Sequence, residues 1–79
     1  MITVKARVHG HLLGYLPGGR DVVEMSLPPG STASELARKL GLPGTEIWLV
    51  SVNGTVSDPY RELANGDRVD FFAPEAGGS

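Results

Sequence analysis

The chain contains no cysteine. That removes a disulfide framework, a thiolate metal site and any thiol nucleophile of its own. Stability in a 79-residue chain must therefore come from packing, near the size at which core burial becomes marginal. Charge of one sign is also scarce. Seven basic and nine acidic residues are spread along the sequence, for a net charge of −2. The longest basic run is Arg38-Lys39, which leaves no electrostatic footprint for nucleic acid. Long apolar runs are missing too: Met1 leads straight into Ile2-Thr3-Val4-Lys5, with neither a signal-type segment nor a membrane span. The expectation is a cytoplasmic protein that engages neither membrane nor nucleic acid.

What is present reads as a compact domain, with 41% hydrophobic and 20% charged residues. Ile2 to Val8 alternates, with Ile2, Val4, Ala6 and Val8 on one face and Thr3, Lys5, Arg7 and His9 on the other, which predicts a half-buried strand. A glycine-rich connection follows from Gly10 to Arg20, carrying Leu12, Leu13, Tyr15 and Leu16 and turning at Pro17-Gly18-Gly19. Val23, Met25 and Leu27 then alternate with Val22, Glu24 and Ser26, a second strand and hairpin partner of the first.

Pro28-Pro29-Gly30 ends that strand. Thr32 and Glu35 have the spacing of a capping box, and Ala33, Leu36, Ala37 and Leu40 share one face of a short helix. Gly41 stands where a left-handed C-terminal cap belongs, with Pro43 soon after. Ile47 to Val52 is β-rich, with Trp48 expected in the core, whereas a partly exposed Trp48 would point to an interface. It leads through Asn53-Gly54, a tight-turn signal, into a short return at Thr55-Val56. Asp58 to Ala64 reads as a loop or single helical turn in which Tyr60 and Leu63 cover the core. After the turn at Asn65-Gly66-Asp67, Arg68 to Phe72 forms the last strand. Val69 and Phe71 lie on one side of it, and Arg68, Asp70 and Phe72 on the other.

The order strand, strand, helix, strand, short strand, strand is an α+β layout. One helix covers one face of a mixed sheet of four to five strands, and the terminal strands are parallel neighbours. The domain spans 1–72, and 73–79 form a flexible Gly-Gly tail. Gly77-Gly78 add nothing to a core and are entropically costly to order. Lacking a Cβ, they are suited to threading through a narrow slot and presenting a terminal carboxylate to another protein.

The β-grasp order is accompanied by three local signatures: Val52-Asn53-Gly54 after a buried strand, Asn65-Gly66-Asp67-Arg68-Val69 before the last strand, and the tail Phe72-Ala73-Pro74-Glu75-Ala76-Gly77-Gly78. In these features the chain resembles the ThiS/MoaD sulfur-carrier family of ubiquitin-like proteins. Phe71-Phe72-Ala73-Pro74 is more similar to the small subunit of molybdopterin synthase than to the thiamin-pathway carrier.

The resemblance implies a carrier, not an enzyme, with no catalytic side chain and no metal or cofactor of its own. An E1-like adenylating enzyme uses ATP to activate the Gly78 carboxylate, and a sulfur donor converts it to a thiocarboxylate. A larger acceptor subunit then takes the sulfur for cofactor biosynthesis. Gly77, Ala76 and Pro74 would thread the tail. By the alternation of the last strand, Phe72 with Arg68 and Asp70 reads either as a docking surface beside the tail or as cover and solvation for the open side of the sheet. One departure stands out: the active form in this family ends at the second glycine, and here Ser79 follows. A native Ser79 would require a C-terminal peptidase, and a serine left by expression would not. Two other readings stay open, a modifier that forms isopeptide bonds with lysines and a non-covalent β-grasp adaptor.

Other residues invite readings of their own. His9 and His11 have a spacing compatible with metal ligation from a strand edge, or form a solvated pair. Gly18-Gly19-Arg20 lacks the Lys-Ser/Thr ending of a phosphate loop and reads as a turn.

Overall fold

Seven alternating residues at the N-terminus form β1 (Ile2–Val8), whose Val4, Ala6 and Val8 are buried. It pairs antiparallel with β2 (Val22–Leu27) in the register Ile2↔Leu27 through Arg7↔Val22. The computed structural model describes residues 1–74. The chain continues through α1 (Ala33–Leu40), β3 (Leu49–Val52), β4 (Thr55–Ser57) and β5 (Arg68–Phe72). These strands make one mixed sheet in the order β2-β1-β5-β3-β4. β5 lies parallel to β1 and antiparallel to β3. This is the ubiquitin-like β-grasp expected from the order of elements.

The helix begins where its capping box predicts. Thr32 Oγ1 accepts from the Glu35 amide at 3.2 Å, and Glu35 Oε1 accepts from the Thr32 amide at 2.9 Å. A third amide of the first turn, that of Ser34, donates to the Pro59 carbonyl at 2.8 Å, so the loop after β4 helps to cap the helix. At the other end Gly41 takes a left-handed conformation, φ 81°, and its amide bonds back to Ala37 and Arg38. Ala33, Leu36 and Ala37 are buried in the same cluster as Val4, Leu27, Val52, Val69 and Phe71 of the sheet.

The connection between β1 and β2 is more regular than its glycine content suggests. Gly10–Tyr15 is a 3₁₀ helix that drives Leu12 into the core, and Leu16 follows it inward. Leu13 and Tyr15, at the alternate positions, stay exposed. Gly10 has φ 65°, and a Cβ there would sit 3.5 Å from that of Ala73, so the start of this segment packs on the residue that follows β5.

Two expectations are corrected. Trp48 is 64% exposed and not in the core, and Tyr60 is 74% exposed and does not cover the core with Leu63. The strand starts at Leu49, two residues later than the β-rich stretch, because Gly44–Glu46 forms a 3₁₀ turn that delivers Ile47 and Trp48 at the sheet's rim. Asp58–Ala64 is a loop without a helix. Asp58 Oδ1 accepts from the Tyr60 amide at 2.7 Å, a turn that directs the ring outward, while Leu63 is buried and its amide reaches the Ser31 carbonyl. The return strand is Thr55–Ser57, with Asn53 (φ 53°) and Gly54 (φ 87°) both positive as a type I′ turn requires.

Replacing Thr32 by Ala is expected to lower unfolding free energy by about 1 kcal/mol, with Thr32→Ser retaining most of it. Phe71→Ala, at the centre of the core, should cost about 3–5 kcal/mol. Urea denaturation followed by circular dichroism measures both.

Candidate functional site

The end of β5 is the root from which the tail departs, and its neighbours fix its surroundings. Register pairs Phe72 with Leu49 of β3, while Val8 of β1 pairs with Phe71, which leaves His9 beside Phe72 on the other side. The two rings stack, centroids 4.3 Å apart and planes 7° from parallel. The Phe72 carbonyl accepts from the Trp48 amide at 2.7 Å, and the Phe71 carbonyl accepts from the His9 amide at 3.0 Å. Phe72 is thus half-buried, on the side of the sheet away from α1, and anchored from both flanks.

Asp70 lies one step back on the same face. Its carboxylate accepts from Ser51 Oγ at 3.4 Å and stands 3.5 Å from His9 Nε2. With only 14% of its side chain exposed, Asp70 ties β1, β5 and β3 together under the Phe72 ring. Arg68 is exposed at the start of the strand. Its amide donates to Asn53 Oδ1 at 2.9 Å, and Asn53 Nδ2 donates to Asp67 Oδ1 at 2.9 Å. The two Asn-containing turns noticed in the sequence are therefore one hydrogen-bonded unit that aligns β3 with β5.

The register adds residues that reading β5 by itself did not supply. Lys5 lies beside Arg68, and Arg7 beside Asp70. On the other flank Ser51 and Leu49 complete the rows of Asp70 and Phe72. Among the described residues the only ion-pair contacts are His9–Asp70 and His11–Glu46, so Lys5, Arg7 and Arg68 form an unpaired basic strip leading to the His9–Phe72 stack. The alternation of β1 signalled these cations, but their partner strand could not be read from it.

The histidines separate. His11 Nε2 meets Glu46 Oε1 at 2.5 Å, on a different element from Asp70, and no group of three or more metal-ligating side chains occurs among the described residues. Pro74, the last described residue, is exposed. Ala76, Gly77, Gly78 and Ser79 lie outside the described residues.

The profile of the ThiS family matches residues 17–78. The chain belongs to the ThiS family. Proteins of this family are generally small and non-catalytic, and work with E1-like adenylating enzymes and larger synthase subunits. No curated protein matches it in sequence.

Solved structures share the fold. A protein of Pyrococcus furiosus assigned as molybdopterin converting factor subunit 1 aligns with TM-score 0.69 at 23% identity, over 94% of this chain and 99% of its own. Small archaeal modifier protein 1 of Haloferax volcanii aligns with TM-score 0.76 at 17% identity, over 94% and 99%. The HVO 2177 protein of the same organism aligns with TM-score 0.72 at 22% identity, over 98% and 87%. At these identities the likeness is one of fold. No helix among the described residues is long and apolar enough to cross a membrane.

A double-mutant cycle of His9→Ala and Asp70→Ala is expected to give a coupling of about 0.5 kcal/mol in urea unfolding. Additive effects would mean that the contact contributes nothing to holding β1 against β5.

Proposed function

We propose that this chain is a protein sulfur carrier whose Gly78 carboxylate is activated by an adenylating enzyme and then thiocarboxylated. The observation that carries the reading is the ThiS-family match, which runs through the tail and stops on Gly78. The carboxylate attacks the α-phosphate of ATP and pyrophosphate leaves, giving an acyl adenylate. Sulfur from a donor then takes the place of AMP on the acyl carbon. No side chain of this domain takes part: the domain supplies a folded handle and an acyl group that can be threaded. ATP belongs to the partner's site, not to this chain. If Ser79 is native, a C-terminal peptidase must first remove it to expose the Gly78 carboxylate.

The acceptor we favour is a larger subunit of molybdopterin-synthase type. Support comes from Phe71-Phe72-Ala73-Pro74 ahead of the glycines and from the fold shared with the Pyrococcus protein. Docking would use Phe72 with Arg68, Lys5 and Arg7, the basic strip favouring an acidic partner surface. Asp70 would contribute by holding His9 against Phe72. Gly77, Ala76 and Pro74 would line the threading path.

A second reading has its own support. The Haloferax neighbours include a protein named as a modifier, so conjugation of Gly78 to target lysines fits the same fold and tail.

Intact-mass analysis of the untagged chain from its native host tests both. A species lacking Ser79, with one oxygen replaced by sulfur, is the expected result. A ladder of lysine adducts in place of thiocarboxylate would transfer the conclusion to the modifier. Unmodified chain in cells with an active adenylating partner would overturn both. Phe72→Ala should leave the fold intact and weaken partner binding by about 1–3 kcal/mol, read by calorimetry.

A further inference from the structure

On the helix side of the sheet lies a second surface that this docking face does not use. A cleft of about 470 Å³ opens between α1, the rim before β3, and the loop after β4. Val50 and Phe71 form its floor, and the exposed rings of Trp48 and Tyr60 line it together with Ile47. Its volume lies within the range of about 300–1,000 Å³ typical of ligand clefts. Isolated exposed apolar residues are ordinary, but two large aromatics sharing one cleft in a chain with so few are not.

Two observations say what covers it. Arg38 is the one charged residue lining the cleft, and among the described residues it makes no ion pair. The cleft's complement is therefore an apolar side chain accompanied by a carboxylate. Its position supplies the second constraint. Trp48, at the cleft's mouth, donates its backbone amide to the carbonyl of Phe72, the residue from which the tail departs. A protein that takes hold of the tail at its root therefore works beside the Trp48 end of the cleft.

We propose that the Trp48–Tyr60 cleft is a second docking site for the adenylating enzyme, filled by a segment that places an apolar side chain between the two rings and a carboxylate on Arg38. This rests on the tail-activation reading, which the carrier and the modifier share. The enzyme then grips the domain on both sides of the sheet, Phe72 and the basic strip on one and the cleft on the other. Aromatic residues and arginine are the side chains most enriched among interface hot spots, and both occur here.

Trp48 is the sole tryptophan, so 5-fluorotryptophan labelling gives the chain a single fluorine resonance. The labelled chain, ending at Gly78, is titrated with the purified adenylating enzyme of the same genome, with pyrophosphate release from ATP as a parallel readout. The expected result is a saturable shift of the resonance at the stoichiometry of the complex. Trp48→Ala and Arg38→Glu should each weaken binding about tenfold or more, and Tyr60→Phe should bind better than Tyr60→Ala. All four variants alter groups at the surface, and thermal melts check that each is folded.

Normal adenylation of the wild type with an unmoved resonance and unchanged affinity of Trp48→Ala and Arg38→Glu would overturn the cleft proposal alone. A resonance that shifts with the chain's own concentration, before enzyme is added, would assign the cleft to a second copy and overturn it as well. Failure of the enzyme to bind or adenylate the wild type would overturn the activation reading and this proposal together.

Discussion

The parallel pairing of β1 with β5 is the contact on which the rest of this structure depends. Parallel neighbours cannot be joined by a tight turn, so the chain between them must leave the sheet and return. Here that excursion contains α1, which covers the core, and the β3–β4 hairpin, which extends the sheet beyond β5. β5 is consequently flanked on both sides, by β1 and by β3, and its Val69 and Phe71 are wholly buried. The strand nearest the end of the chain is thus among the best anchored. Load on the chain beyond Phe72 is therefore borne by a central strand and not by a frayed edge.

The two sides of the sheet divide the remaining roles. The side facing α1 is apolar and closed, except where the helix stops short of the sheet's rim beside Trp48 and Tyr60. The other side is polar and open, and its hydrogen bonds are organised around Asp70. That carboxylate, largely covered by its neighbours, links Ser51 of β3 to His9 beyond β1, and His9 in turn supports Phe72. A single acidic residue in β5 thereby sets the posture of the aromatic at the tail's root. The basic side chains around it remain unpaired among the described residues and available to a partner.

Much of this was legible in the sequence, and the parts that were not share a cause. The strict alternation from Ile2 to Val8 identified β1 and its buried face, and Thr32 with Glu35 marked the start of α1 within the resolution of a hydrogen bond. Asn53-Gly54 and Asn65-Gly66 marked turns through backbone chemistry that few other residue pairs supply. Ile47 to Val52 failed as a guide to Trp48 because a continuous apolar run carries no period, so nothing local tells which residues precede the strand. Tyr60 failed for a related reason. The Asp58 turn that points it outward depends on one side-chain acceptor, and burial of nearby Leu63 is compatible with either orientation of the ring. Gly77-Gly78 suggested a role for the tail only through resemblance, since glycine pairs by themselves are silent about chemistry, and both lie outside the described residues. Association of Lys5 and Arg7 with Arg68 needed the parallel register, a long-range property.

The fixed root at Phe72 also acts as the zero mark of a ruler. From there to Gly78 the backbone can extend no more than about 20 Å, at roughly 3.3–3.6 Å per residue. Any active site that reaches the Gly78 carbonyl must therefore lie within that distance of the sheet's rim, whatever path the tail takes. A partner with a deeper active site cannot use this chain without first giving up contact with its body. On the proposed tail activation, tail length selects partners by depth before any side chain is recognised, and inserting or deleting one residue between Pro74 and Gly77 would reset that selection while leaving the contacts of the described domain, buried Ala73 included, in place.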